Sequence, residues 1–212
     1  MKDFSQISNI IFDIGNVLLN ISPLKVVDAL EKISIYGKNL DKLLDSSSGF
    51  YLEFEVGALN SSQFREKIRS LVPAQLSDQQ IDQAWCSMLE EFDQEKIRFL
   101  QKLSKKYRIF ILSNTNEIHV NAMNKQLMQK FGIEGLHQIV EKAYYSNEIK
   151  LAKPHAEIYE YVLNDAKLNV YQTLFIDDRL DNITTAKKLG FNILHYTTQQ
   201  PFDELLGEFL KK

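Results

Sequence analysis

Residues 10–18 read IIFDIGNVL, an apolar run that ends in a carboxylate, Asp13, followed two positions later by Gly15. Short apolar runs bounded by polar turn residues are typical of strands buried in a parallel sheet. Gly15 is placed to allow a sharp turn that exposes the backbone. Taken alone, the segment fits ordinary turn chemistry as well as it fits a functional site.

Outward from this first run at 7–13, the same kind of pattern recurs four times, at 108–113, 139–145, 173–177 and 191–196. Helical patterns follow the last four runs, at 116–131, 154–166, 181–189 and 201–210. Pro154 is placed at the favoured first position of its helix. Strands alternating with helices predict an α/β fold, a doubly wound, Rossmann-like parallel sheet with right-handed crossovers.

One long insertion separates the first two strands. Almost no strand signal is found in it, and helices are predicted at 22–31, 40–46, 50–56, 61–72, 77–89 and 94–106. Ser77 and Gln80 are spaced as a capping box. The predicted domains are an α/β core formed by 1–16 and 106–212, and an α-helical module at 17–105. The alternative is one large α/β domain with extra helices.

Polar side chains follow three of the strands. Ser113 and Asn114 open a helix and fit either an anion site or a helix cap. Lys153 directly precedes the next helix, and a lysine there is by itself more typical of a solvated surface charge. Asp177 and Asp178 end the fourth strand. Adjacent carboxylates raise each other's pKa, and a divalent cation is the usual partner that relieves this repulsion.

The order of these residues predicts that they meet. Ligands of a doubly wound sheet bind where the strand order reverses, at the carboxyl ends of the strands. If the fourth strand lies on the other side of the first, Asp13 neighbours Asp177 and Asp178, with Ser113 and Lys153 beside them. Carboxylate oxygens suit Mg²⁺ that is shared with a phosphate. Asp13 could then attack phosphorus while Ser113 and backbone N–H groups hold the other oxygens.

Composition narrows the class of protein. The 212 residues carry 25 basic and 28 acidic side chains, a net charge of −3, and this lack of a basic field predicts no nucleic-acid partner. No run approaches the ~18 apolar residues of a membrane span, so no membrane association is expected. The single cysteine, Cys86, suits a reducing compartment and predicts a cytoplasmic location.

Together and in this order, the four motifs resemble those of the haloacid dehalogenase-like (HAD) hydrolase superfamily over nearly the whole chain. The insertion after the first motif is similar to the subgroup with an α-helical cap, and residues 53–64, EFEVGALNSSQF, resemble a stretch common in such caps. FDIGNV at 12–17 with FIDD at 175–178 is most similar to the branch containing a bacterial α-D-glucose-1-phosphate phosphatase.

This resemblance implies a Mg²⁺-dependent phosphatase that hydrolyses a small phosphorylated metabolite, best a sugar phosphate, through a phospho-aspartate. It also implies a role for each site residue. The implied nucleophile is Asp13; the implied magnesium ligands are Asp13, Asp178 and the Gly15 carbonyl, with Asp177 acting indirectly; the implied phosphate and substrate contacts are Ser113, Lys153, Asn114 and Asn16. Asn182 stands where many relatives carry a further acid and Asp181 is one position away, so their roles stay open.

The sequence departs from the family pattern at Gly15, where most phosphatases of the superfamily carry an Asp as general acid and base. Such proton transfer is worth about 10²–10⁴ in rate. Three explanations are open: a cap residue such as Glu55 supplies the proton; the substrate has a good leaving group, such as an anomeric oxygen; or turnover is slow. Lys150 is a second departure, because relatives often place glycine there.

Two other functions remain open at this stage. One is a metal-independent 2-haloacid dehalogenase, since those enzymes also lack the second Asp; they do not keep the pair Asp177-Asp178, however, and this favours the phosphatase. The other is a weakly active or non-catalytic binding protein on the same fold, with protein partners that the sequence does not reveal.

Overall fold

The computed structural model describes residues 6–33, 49–72 and 75–197, and beyond them residues 202, 204, 206 and 207. The strands of these ranges are β1 (Asn9–Phe12), β2 (Leu19–Ile21), β3 (Leu89–Phe92), β4 (Arg108–Ser113), β5 (Lys142–Tyr145), β6 (Thr173–Asp177) and β7 (Asn192–His195). Five of them form a parallel sheet in the order β5-β4-β1-β6-β7. The predicted doubly wound α/β fold is confirmed.

Nine α-helices lie in the described ranges. They are α1 (Leu24–Ile33), α2 (Gly49–Glu55), α3 (Ser61–Leu71), α4 (Asp78–Cys86), α5 (Gln94–Leu103), α6 (Glu117–Phe131), α7 (Ser146–Ile149), α8 (Ala156–Asp165) and α9 (Leu180–Lys188). The helix predicted at 40–46 lies outside the described residues, as does most of the one predicted at 201–210. No helix within these ranges is both long and apolar enough to span a membrane.

The strand order reverses at β1, which lies between β4 and β6. Phe12 pairs with Ile111 on one side and Ile176 on the other, so the three strands end level with one another. The ladder continues one residue further, because the N–H of Asp13 donates to the carbonyl of Ile176 over 2.9 Å. This register brings the polar residues after β1, β4 and β6 to one edge of the sheet.

Helices cover both faces of the sheet, as the continuous apolar strands require. Successive side chains of a strand point to opposite faces, so each central strand contributes to two apolar clusters. One face packs against α5 and α6 and includes Ile10, Phe12, Ile109, Ile111, Leu174 and Ile176. The other packs against α8 and α9 and includes Ile11, Phe110, Leu112 and Phe175.

Helices α1 to α4 form a further apolar cluster, which Ile118 of α6 joins. At its centre the rings of Phe54 and Phe64 stack with centroids 4.1 Å apart, and Trp85 packs on Phe64 at 4.7 Å. The capping box predicted at Ser77 and Gln80 is present at the start of α4. Most of this cluster comes from the helical module, while the domain boundaries at 16/17 and 105/106 stay a prediction.

The insertion differs from the all-helical prediction in two places. β2 and β3 pair as a short antiparallel ribbon, and α4 ends at Cys86, so Leu89 begins a strand instead of ending the predicted helix. Strands of three and four residues are too short to show a period of two, and the pair Glu90-Glu91 resembles helical surface. Helix α5 packs on the sheet through Ile97, Leu100 and Leu103.

The start of α8 also differs from the prediction. The helix begins at Ala156 with His155 as its N-cap residue, so Pro154 precedes the helix and does not occupy its first position. Lys153 therefore lies on a loop two residues before the helix cap, and its side chain is free to turn toward the sheet edge.

A buried histidine of α6, a helix that packs on the sheet, contacts α4 of the helical module. The His119 ring, 6% exposed, stacks on Trp85 with ring centroids 5.2 Å apart. Its Nε2 lies 3.2 Å from the Trp85 carbonyl and its Nδ1 lies 3.2 Å from the Asn116 amide nitrogen. These partners fit a neutral ring that donates from Nε2 and accepts at Nδ1. Burial lowers the pKa of His119 to about 4.

This histidine makes stability depend on pH. Between pH 6.5 and about 4 the unfolded chain binds a proton at His119 that the folded chain excludes, so the free energy of unfolding falls as pH falls. Each pH unit below 6.5 is expected to cost up to about 1.4 kcal/mol. Asp13, whose pKa is raised to about 6, changes stability in the opposite direction over this range, so the contribution of His119 is measured as a difference between proteins. From pH 7 to pH 5, urea unfolding of His119→Phe is expected to show a smaller loss of stability, or a larger gain, than the natural protein, and exposed His137→Gln is expected to match the natural protein; an unchanged slope in His119→Phe would contradict the assignment.

Candidate active site

The predicted site residues meet at the carboxyl edge of the sheet. A cavity of about 870 Å³ opens there. Of the predicted residues, those that line it are Asp13, Gly15, Asn16, Ser113, Asn114, Lys153 and Asp178. Asp177 is fully buried behind this wall, and Asp181 is absent from it.

Lys153 occupies the centre of the site. Its side chain is 1% exposed, and its Nζ lies 2.8 Å from Asp13 Oδ1 and 2.7 Å from Asp177 Oδ2. Burial alone would lower the pKa of Lys153, but the two carboxylates raise it above its ordinary value. The ammonium group is therefore charged and held between two strand ends.

The backbone of Lys153 is fixed from β4. The Asn114 side-chain amide donates to the Lys153 carbonyl over 2.8 Å, and its Oδ1 accepts from the Lys153 N–H over 2.9 Å. Through these two hydrogen bonds, the Asn114 side chain positions the backbone of Lys153. Sequence reasoning placed Asn114 near the phosphate but missed these hydrogen bonds, because the two residues are far apart along the chain.

Asp13 is nearly buried, with 6% of its surface exposed. Burial raises its pKa to about 6, Lys153 opposes that rise, and the nearby Asp177 adds to it. At neutral pH the carboxyl group is ionised and faces the cavity beside an ammonium group. This combination can bring a nucleophilic oxygen and an anion-binding cation to the same substrate atom.

Asn16, not Gly15, takes the unusual backbone conformation of the first motif. Its φ is 53°, in the left-handed region that asparagine tolerates better than most residues. Its Nδ2 donates to Asp178 Oδ2 over 2.9 Å, and its Oδ1 accepts from the Ile21 N–H over 3.1 Å. Asn16 thus positions Asp178. The sharp turn predicted at Gly15 is present, but the residue with the left-handed backbone conformation is Asn16, one position later.

Asp177 makes internal hydrogen bonds with both of its carboxylate oxygens. Oδ1 accepts from the Arg179 N–H at 2.8 Å and from Asn182 Nδ2 at 3.0 Å; Oδ2 accepts from Lys153. Asn182 is itself 2% exposed and lines the cavity, and its Oδ1 is buried with no hydrogen-bond partner in the described structure. Asp181 instead pairs with Arg179 at 2.7 Å.

The donor set fits a hard divalent cation. Asp13, Asp177 and Asp178 each offer an oxygen within 4.8 Å of the others, and Lys153 bridges two of them. Burial raises the pKa of Asp178, a sign that its charge is not fully matched by its neighbours. Carboxylates with excess negative charge at the wall of a cavity are suited to Mg²⁺.

The helical module contributes part of the cavity wall. Helix α2 brings Tyr51 and Glu55 to the lining, one turn apart on the same helix face. The Ser146 hydroxyl donates to the Glu55 carbonyl over 2.6 Å, and Lys150 Nζ donates to the Gly57 carbonyl over 2.7 Å. Sequence reasoning missed Tyr51 and Ser146, although the helical spacing of Tyr51 and Glu55 could have indicated a shared face.

Comparisons with known proteins agree with this arrangement. Residues 7–190 match the family of haloacid dehalogenase-like hydrolases. A D-ribitol-5-phosphate phosphatase from Bacteroides thetaiotaomicron is 33% identical over 190 residues, which cover 88% of this chain and 90% of the relative.

Solved structures show the same fold at similar identity. A HAD family enzyme from Bacteroides thetaiotaomicron, in complex with magnesium and inorganic phosphate, has a TM-score of 0.87 at 33% identity and covers 94% of this chain and 98% of its own. A predicted HAD-like family hydrolase from Porphyromonas gingivalis has a TM-score of 0.87 at 28% identity, covering 98% and 99%. The likeness to the glucose-1-phosphate phosphatase branch stays a prediction. The chain belongs to the haloacid dehalogenase-like hydrolase family.

Proposed function

We propose that this protein is a Mg²⁺-dependent phosphatase that hydrolyses a small phosphomonoester, best a sugar phosphate or a related polyol phosphate. The observation that carries the proposal is the buried Lys153 ammonium, 2.8 Å from Asp13 in the wall of one cavity. Support comes from the relative that acts on D-ribitol 5-phosphate and from the HAD family structure that holds magnesium and phosphate.

In the proposed mechanism the substrate phosphate enters between Asp13 and Lys153. Asp13 attacks phosphorus in line and forms a phospho-aspartate, while Lys153 and Ser113 hold the oxygens that are not transferred. Water then hydrolyses the phospho-aspartate and releases phosphate. Asn114 and Asp177 keep the lysine in place, and Asn16 keeps Asp178 in place.

Magnesium would be held by Asp13, Asp178 and the Gly15 carbonyl, and when bound it supplies positive charge beside the phosphate. This charge offsets the repulsion between the phosphate and the Asp13 carboxylate. That repulsion is about 4 kcal/mol for each pair of like charges 4 Å apart at an effective dielectric of 20. In this proposal Asp177 is not a direct magnesium ligand, because its oxygens already accept hydrogen bonds. The paired acids favour the phosphatase over the metal-independent dehalogenase.

The separate roles of the two predicted domains are also part of the proposal. Residues 1–16 and 106–212 carry out the transfer, and the helical cap at 17–105 covers the cavity and selects the substrate. The site suits a small phosphorylated metabolite, and the net charge of −3 gives no support to a nucleic-acid partner. A cytoplasmic location is proposed from the single cysteine, whose thiol is held protonated by burial, which raises the pKa of Cys86 to about 12.

Removal of magnesium is expected to abolish phosphate release. The test is a screen of sugar, polyol and nucleoside monophosphates with Mg²⁺ or with EDTA. Asp178→Asn keeps an oxygen that can accept from Asn16 but removes a charge, so we expect kcat/KM to fall about 10²-fold or more and half-saturation to need more Mg²⁺.

The matched control for this variant is Asp181→Asn, which removes an exposed acid that does not line the cavity. Its activity and magnesium dependence should remain those of the natural protein. Turnover that survives both EDTA and Asp178→Asn would remove the metal from the proposal. Chloride release from 2-haloacids without metal would instead establish the dehalogenase.

A further inference from the structure

The proposed reaction needs a proton on the leaving-group side of the phosphate. In-line attack by Asp13 pushes the leaving oxygen away from the sheet, toward the helical cap. Without a proton, an ordinary alcohol leaves as an alkoxide, and general acid catalysis is worth about 10²–10⁴ in rate. Gly15 has no side chain to donate one. This step rests on the phosphatase proposed above.

The cap contributes one carboxyl group to the lining of this cavity. Glu55 lies at the end of α2 and lines the same cavity as Asp13 and Lys153. The hydroxyl of Tyr51, one turn earlier, donates to the Glu55 carboxyl group. The charges of Lys153 and Asp13 both influence Glu55, so it lies within electrostatic range of the reacting groups.

Glu55 is fixed by the sheet side as well as by its own helix. Its carbonyl accepts the Ser146 hydroxyl over 2.6 Å. Two residues later, Gly57 has a φ of 61° and packs so closely that an added Cβ would lie 2.2 Å from the Asn147 carbonyl oxygen. Only glycine fits this contact, which anchors the end of α2 over the cavity. A backbone anchored in this way limits the positions that the Glu55 side chain can take.

We propose that the Glu55 carboxyl group is the general acid and base of this enzyme. In the first step, a bond forms between Asp13 Oδ and phosphorus, the phosphorus–oxygen bond to the leaving group breaks, and that oxygen takes the Glu55 proton to become an alcohol. In the second step, the Glu55 carboxylate removes a proton from water as the water oxygen attacks phosphorus. The bond to Asp13 breaks, phosphate leaves, and Glu55 is protonated again.

The surroundings of Glu55 agree with this cycle. Burial raises its pKa above the ordinary value, and nearby Asp13 adds to the rise, whereas Tyr51, Arg179 and Lys153 oppose it. A carboxyl group balanced in this way can be protonated before the first step and ionised after it. Tyr51 is a positioning residue in this scheme, because its hydroxyl orients one oxygen of the carboxyl group.

The test compares substrates with poor and good leaving groups. Glu55→Gln is expected to lower kcat/KM for D-ribitol 5-phosphate by about 10²–10³-fold and to change the first step with p-nitrophenyl phosphate by less than about tenfold. Without the base, breakdown of the phospho-aspartate slows. Rapid mixing should therefore show a burst of nitrophenolate approaching one per enzyme molecule, larger than any burst expected from the natural protein.

Two further variants separate chemistry from folding. Glu53→Gln changes an exposed acid on the same helix that does not line the cavity, and it should behave as the natural protein. Gly15→Asp combined with Glu55→Gln should recover part of the lost rate, because relatives carry an acid at this position. A Cβ there meets the tip of Ile21 at 3.4 Å and is tolerated. Thermal unfolding checks that each variant is folded.

The outcomes separate this inference from the proposed function. Wild-type rates on D-ribitol 5-phosphate in folded Glu55→Gln would overturn the inference and favour another acid, while Asp13→Asn still tests the nucleophile. Equal losses on both substrates with no burst and no rescue would show that Glu55 is only structural. If the natural protein releases phosphate from no ester of the screen in the presence of Mg²⁺, the proposed function fails and this inference fails with it.

Discussion

Asp13→Asn is expected to lower phosphate release by about 10⁴-fold or more, the largest effect of any single substitution in the site. The asparagine side chain has nearly the same shape but a much weaker nucleophilic oxygen. Because the phospho-aspartate cannot form, the loss should appear in kcat for every phosphate ester, including those with good leaving groups. Steady-state and burst measurements with p-nitrophenyl phosphate test this, with exposed Asp28→Asn as the control.

The same substitution is expected to stabilise the metal-free protein. Burial raises the pKa of Asp13 from 3.8 to about 6, so the stability this group contributes is fully present only below pH 3.8 and is lost as pH rises through 6. At pH 7 the natural protein therefore folds against a buried charge that asparagine does not carry. Thermal unfolding in EDTA should show a higher Tm for Asp13→Asn. A lower Tm, or turnover near the natural rate, would contradict the prediction.

Lys153→Met is expected to damage both activity and stability. Its Nζ contacts Asp13 at 2.8 Å and Asp177 at 2.7 Å, and its removal leaves two buried carboxylates without a cation. Breaking such a buried pair typically costs about 3–5 kcal/mol. Loss of a cation that holds the transferring phosphate is expected to lower kcat/KM about 10²–10³-fold beyond any loss from unfolding.

Urea unfolding and phosphate release by the folded fraction separate these two effects. Lys125→Met is the matched control, because Lys125 is exposed on α6 and far from the cavity lining. A folded Lys153→Met protein with natural kcat/KM would exclude Lys153 from phosphate binding. Magnesium should partly restore the stability of the variant, since it offsets the same negative charge.

The sheet and the grouping of the site were predictable because both follow from strong local signals. Apolar runs ending in Asp13, Ser113 and Asp177 mark strands whose polar ends must meet once the order reverses at β1. That argument needs only the period of the strands and the handedness of their crossovers. It brought Asp13, Lys153 and Asp178 together without any contact being known.

The finer roles were not predictable, because they depend on which atoms meet across long sequence separations. Asn114 clamps the backbone of Lys153, Asn16 carries the left-handed turn, and Asp177 faces inward toward its hydrogen-bond donors. Each of these side chains would read equally well as a cap or a turn residue in the sequence. The ribbon of β2 and β3 escaped notice for a different reason, since its strands are shorter than one full alternation.

The Ser146 hydroxyl has a consequence for movement of the cap. It donates to the Glu55 carbonyl over 2.6 Å, and the Thr115 carbonyl lies within its reach at 3.1 Å. If α2 lifts away to admit substrate, the hydroxyl can rotate to Thr115 while the Glu55 carbonyl turns to water. The Ser146 hydroxyl and the Glu55 carbonyl each then keep a hydrogen-bond partner. Movement of α2 would therefore exchange one hydrogen bond for others and would not leave either group unpaired.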